Sequence, residues 1–172
     1  MKLKKIRVNS FPYIKKYMKF QQAVFIRKYS EELCDKLERL GYKKSSWSWC
    51  NSGDTICTCT NGGIYTRIPQ SDYVGEKNWK DDAGRIDCGT NEQLFLSLAA
   101  LREDTSKFQL FVIDKSKPGS LCCGNPGDMF EWIIGFEPEA GDMLGTYYHK
   151  ASVEEICNWF GKGNRLGEYL LP

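Results

Sequence analysis

The stretch RIDCGTNEQLFLSLAALREDTSKFQLFVID (85–114) decides how this chain folds. Its middle carries Leu94, Phe95, Leu98 and Leu101 at helical spacing, with Ala99 and Ala100 adding close-packing surface. Thr90 stands where an N-cap belongs, and Gln93 is placed to complete a capping box with it. The end, FQLFVID (108–114), is a near-continuous apolar run, the pattern of a strand covered on both faces. With RIDCG (85–89) as a leading strand, the stretch reads as a β-α-β unit.

The segments on either side have the same kind of punctuation. AVFIR (23–27) reads as a short strand. Ser30 then caps a helix with Leu33, Cys34, Leu37 and Leu40 on one stripe, and Gly41 ends it. TICTCT (55–60) and GIYTRI (63–68) flank Asn61-Gly62, the dipeptide suited to a type I′ hairpin turn. That hairpin pairs 59 with 64 and 57 with 66. It sets Cys57, Cys59, Ile64 and Ile68 on the more apolar face, and Tyr65 and Arg67 on the other. Beyond the turn-rich KPGSLCCGNPGD (117–128), MFEWIIGF (129–136) alternates with Phe130, Trp132, Ile134 and Phe136 inward. Ser152 and Glu155 form a capping box for a last helix, with Val153, Ile156, Cys157 and Phe160 on its stripe. The expected fold is α+β: a single mixed sheet containing a hairpin and a β-α-β unit, with about three helices.

Charge divides the chain unevenly. The first 28 residues hold nine Lys and Arg and no acid, whereas the remaining 144 hold fifteen bases and twenty-two acids. A net +2 thus separates into +9 and −7. Residues 1–22 read as a basic N-terminal arm and 23–172 as one α+β domain, in keeping with about one domain per 150 residues. Met18 lies just upstream of the first strand, so everything before it reads as an extension or a misassigned start. Clustered cations attract phosphates and acidic surfaces at long range. Lys2, Lys4, Lys5 and Arg7 are the candidate contacts of the arm. No apolar run approaches the roughly 20 residues that span a bilayer. No signal-peptide pattern follows the basic start, so a cytoplasmic address is expected and no membrane partner.

Aromatic residues supply the other candidate contacts. SSWSWC (45–50) sets Trp47 and Trp49 at alternating positions in a serine-rich stretch. Burial of both rings in the core is the simpler reading, and a stacking platform for bases or a partner protein is the functional one. Trp79, within EKNWKDD (76–82), is harder to account for as core and reads as a contact residue. Arg67 completes the set.

Catalytic and metal-binding patterns are scarce. His149 is the sole histidine, so any Ser-His-Asp or Cys-His engine must pass through it. Its position just before a capped helix favours a surface or cap-adjacent role. Asp81, Asp82, Asp87 and Asp114 are read as solvated. A cavity gathering Asp87, Asp114 and His149 would argue for an enzyme. The eight cysteines have no CxxC spacing, and HExxH, Walker and GxGxxG patterns do not occur. All eight cysteines are expected to be reduced and most of them to be small buried hydrophobes, with no metal and no cofactor.

DCGTNEQLFLSLAALREDTSKFQLFV (87–112) and HKASVEEICNWF (149–160) resemble segments of small proteins encoded by phages and mobile elements of gut Bacteroides-type bacteria. The resemblance covers roughly 23–160 and rests on capping boxes and core stripes. It implies an accessory, non-enzymatic product that binds a host protein or nucleic acid, sometimes to interfere with bacterial immunity. The alternatives are a nucleic-acid or nucleotide binder using the arm and tryptophans, and, last, an enzyme. Oligomeric state is left open.

Overall fold

The computed structural model describes residues 20–46, 52–73, 84–116, 124–133 and 146–166. The fold is α+β, but its strands form two sheets. The first joins β1 (Val24–Ile26), β2 (Lys43–Lys44), β3 (Thr55–Cys59), β4 (Ile64–Ile68) and β5 (Ile86–Asp87) in the order β2-β4-β3-β1-β5. The second joins β6 (Leu110–Ser116), β7 (Met129–Glu131) and β8 (Thr146–Lys150), with β6 central. The expected single sheet is therefore corrected. β5 pairs in parallel with β1 while β6 belongs to the other sheet, so the stretch 85–114 is not a β-α-β unit.

Among the described residues, three longer helices and one single-turn helix accompany the sheets: α1 (Glu31–Leu40), the short α2 (Gln70–Tyr73), α3 (Glu92–Ala99) and α4 (Val153–Gly161). α1 begins where Ser30 accepts from the Leu33 N–H and ends at Gly41, whose φ of 106° suits glycine. α4 has the full capping box of Ser152 and Glu155. α3 departs from expectation by one residue. Asn91 is its N-cap, accepting from Leu94 N–H, and Gln93 instead bonds the backbone of Leu166. α3 contacts β1, α1 and α4, and Phe95 and Leu98 are fully buried. Each such side chain contributes roughly 1.5–3 kcal/mol through burial.

One core is shared by both sheets. Val24, Ile26, Ile56 and Tyr65 of the first sheet meet Leu33 and Leu37 of α1, Phe95 and Leu98 of α3, Leu110 and Val112 of β6, and Ile156 and Phe160 of α4. The hairpin register is as expected, with Cys59 opposite Ile64 and Cys57 opposite Thr66. Its turn is not type I′: Thr60 is right-handed helical, and Gly62 and Gly63 take positive φ. The faces are also exchanged in importance. The Ile56–Thr58–Tyr65 face enters the main core, where Thr58 Oγ1 bonds the backbone of Val24. The face with the cysteines forms a small separate cluster of Phe25, Cys57 and Ile68, and Ile64 is 44% exposed. Tyr65 can be buried because its hydroxyl reaches Glu38 Oε1 at 2.9 Å.

In the second sheet, Phe130 and Trp132 pack with Phe111 and Tyr148 in a cluster apart from the main core, to which Met129 points instead. Ile134 and Phe136 lie outside the described residues. None of the described helices is long and apolar enough to cross a membrane.

Candidate functional site

Seven of the eight candidate contact residues, Lys2, Lys4, Lys5, Arg7, Trp47, Trp49 and Trp79, lie outside the described residues. Arg67 is described and is half-buried at the end of the hairpin. Its Nε donates to Gly53 O at 2.6 Å, and its guanidinium carbon lies 3.2 Å from the centroid of the Tyr29 ring. The guanidinium thus holds the hairpin to the loop before β3 and to the entry of α1. Lys43 and Lys44 are exposed on β2, an edge strand, immediately before the serine-tryptophan stretch. Sequence reasoning did not single them out, although a Lys pair is a usual guard of a sheet edge.

Where the basic segment meets the body is well defined. Phe20, within the stretch 1–22 that reads as an arm, is 4% exposed and belongs to the main core. Its ring stacks on Tyr42 with centroids 3.8 Å apart, and the Arg102 guanidinium stands 5.1 Å from it. Gln21 N–H donates to Leu101 O at 2.9 Å. Gly63 leaves room for the ring, since a Cβ there would fall 2.4 Å from Phe20 Cε2.

The groups with catalytic chemistry gather around His149. A bulge in β6 interrupts its pairing with β8 between Ile113 and Lys115, leaving Asp114 out of register. Such a bulge re-aims a side chain, and Asp114 Oδ1 lies 2.7 Å from His149 Nδ1. On the other side of the ring, Nε2 lies 2.9 Å from Glu155 Oε1. Glu155 Oε2 accepts from Ser152 N–H at 2.9 Å and from Ser152 Oγ–H at 2.7 Å. The Glu155 and Asp114 bonds hold the His149 pKa above its ordinary value against some desolvation. The two Ser152 bonds, followed by His149, hold the Glu155 carboxyl down at about 2.

This arrangement is an ionic clamp joining β6, β8 and the start of α4. In a hydrolytic triad the second ring nitrogen must face a nucleophile, whereas here it faces a carboxylate, and Ser152 Oγ is bound to that same carboxylate. Asp114 and Glu155 also flank the ring on opposite sides, so they do not converge on one point. Among the described residues no group of three or more His, Cys, Asp or Glu is arranged to hold a metal. Asp87 is elsewhere: it pairs with Arg27 at 2.5 Å and accepts from Gly89 N–H. The structure therefore unites two members of the triplet considered from sequence, His149 and Asp114, and adds Glu155, which had been read only as a cap.

The described cysteines, Cys34, Cys57, Cys59, Cys88 and Cys157, are free thiols. Burial pushes the Cys88 thiol up to about 12 and raises Cys34 and Cys157 as well. A thiol held protonated is a poor nucleophile and a poor metal ligand. Cys50, Cys122 and Cys123 lie outside the described residues. Comparison of the chain with protein-family models, with curated proteins and with solved structures returns no match.

Proposed function

We propose that the chain is a small accessory protein of phages or mobile elements of gut Bacteroides-type bacteria, which acts in the host cytoplasm by binding a host macromolecule. It performs no catalysis of its own, and interference with bacterial immunity is the task such a product would carry. The observation behind this reading is the charge division, +9 in residues 1–28 against −7 in the rest; seven of the nine cations precede Phe20, while Arg27 and Lys28 are paired with Asp87 and Glu92 in the body. A cationic sequence that precedes an anchored residue, Phe20 stacked on Tyr42, suits capture of an acidic partner. An acidic patch on a host protein is the favoured partner, because its charge can end where the arm ends, whereas a phosphate backbone continues past the arm to meet the body's own negative charge.

Nucleic acid is the second reading. It is favoured by Lys43 and Lys44, exposed on the edge strand that leads into Trp47 and Trp49. Cations beside aromatic rings are how proteins hold single strands.

Affinity capture from a lysate of the bacterial host, with and without nuclease, separates the two. Recovery of one protein at a stoichiometric level regardless of nuclease supports the first reading. Loss of the captured material on nuclease treatment supports the second. Capture of neither, at low salt, refutes both.

A further inference from the structure

α1, α3, the start of β6 and the end of β7 border an open cleft of about 320 Å³. Leu40, Leu96, Leu110 and Leu166 give it an apolar lining, and Lys36 and Arg39, three residues apart on α1, bring two cations to it. A second cavity of about 240 Å³ adjoins it, sharing Arg39, Leu40 and Phe108 and adding Lys107. Lys36 is already paired with Glu32 at 2.6 Å, whereas Arg39 makes no ion pair with another described residue.

Phe108, at the junction of the two cavities, has φ of 67°, the one non-glycine residue with positive φ among those described. An aromatic side chain in that region is strained, and strain of this kind persists only where surrounding contacts enforce it. Here Phe108 N–H donates to Trp132 O at 2.6 Å, and the buried Gln109 amide donates to Arg102 O at 2.9 Å. The Lys107 ammonium stands 4.8 Å from the Phe108 ring centroid. The backbone is thus bent so that an aromatic ring and a lysine both border the groove.

We propose that this groove binds a small anionic amphiphile, a carboxylate with a single short aliphatic chain. The chain would lie on Leu40, Leu96, Leu110 and Phe108, and the carboxylate would sit at the end formed by Arg39 and Lys107. Glu131 sets the direction. It lines only the first cavity, where it places a carboxylate of its own. A second anion is excluded there and directed to the Arg39–Lys107 end. Arginine suits that end because its planar fork accepts a carboxylate bidentately.

Calorimetric titration of the full chain with octanoate, and separately with 1-octanol, tests the assignment. Octanoate should bind saturably at one site, with 1-octanol at least about tenfold weaker, since a charge-assisted bond is lost. Arg39→Gln, at an exposed helix position, should weaken octanoate about tenfold and leave 1-octanol unchanged. Phe108→Ala should weaken both ligands. Absence of saturable octanoate binding at millimolar concentration, equal affinity for the two ligands, or an Arg39→Gln protein that binds octanoate like the parent would each overturn the proposal.

Discussion

Replacing Phe20 by alanine tests where the basic arm ends and the folded body begins. The ring is 4% exposed, stacked on Tyr42 at 3.8 Å and approached by Arg102 at 5.1 Å. Truncating a buried Phe to Ala generally costs 3–5 kcal/mol, of which an aromatic pair accounts for about 0.5–1.5. Phe20 also borders a surface depression with Thr60, Asn61 and Glu103, so water and side chains can partly refill the space. The lower end, about 3 kcal/mol, is expected. At 2–4 °C per kcal/mol for a chain of this size, Tm should fall by roughly 6–12 °C. Removal of residues 1–17, by contrast, should change Tm by no more than about 2 °C. Urea and thermal unfolding of the parent, Phe20→Ala and the truncated chain give both numbers in one series. A Phe20→Ala protein within about 1 kcal/mol of the parent would refute the anchor. A truncation that costs several degrees would refute the arm as an appendage.

Further outcomes follow from the clamp, the turns and the thiols. Glu155, depressed to about 2 from an ordinary 4.5, stabilises the fold above about pH 4.5, and that contribution fades as pH falls toward 2. His149, raised above 6.5, stabilises below about pH 6.5, and its contribution is lost as pH rises through the folded pKa. The clamp is therefore strongest between about pH 4.5 and 6.5. With His149 45% exposed, solvent screening keeps its worth under about 1 kcal/mol. His149→Gln should flatten the alkaline limb of a stability–pH curve, and an unchanged limb would contradict the clamp. Gly53→Ala should cost about 3 kcal/mol or more in urea unfolding, because φ is +117° and the new Cβ would lie 2.0 Å from Ile68 C and O. A cost under about 1 kcal/mol would show that the loop relaxes freely. Under native alkylation Cys122 and Cys123 should react first and Cys88 last, given its 4% exposure and raised pKa. Rapid labelling of Cys88, or one zinc per chain by elemental analysis, would overturn this view of the cysteines.

Much of the local structure was legible because it is governed by neighbours in the chain. Ser30 and the Ser152–Glu155 box each act within three residues, and the hairpin register follows from loop length alone. The misplaced cap of α3 arose because Thr90 and Asn91 are both good caps, and the choice depends on how Cys88 and Gly89 leave β5. The turn type was misread because Gly63 follows Gly62, which lets the positive φ values fall one residue later. Sheet membership was not legible. Periodicity says which residues are buried, not which strand lies beside which, so β5 and β6 were joined when they belong apart. The hairpin faces were misjudged because tyrosine counted as the more polar residue, although its hydroxyl is satisfied by Glu38, 27 positions away. The His149–Asp114 contact spans 35 positions and depends on a bulge, for which no local pattern exists. The strained Phe108 began what looked like a regular strand, and nothing in FQLFVID marks the left-handed residue.

The most direct test of the proposed function compares capture of the host partner by the intact chain and by a variant with Lys2, Lys4, Lys5 and Arg7 replaced by alanine, across rising salt. If the basic segment makes the contact, recovery by the intact chain should fall steeply between roughly 50 and 200 mM salt, as screening shortens the reach of its charges. The variant should recover little at any salt. Equal recovery by both proteins, unaffected by salt, would contradict the account.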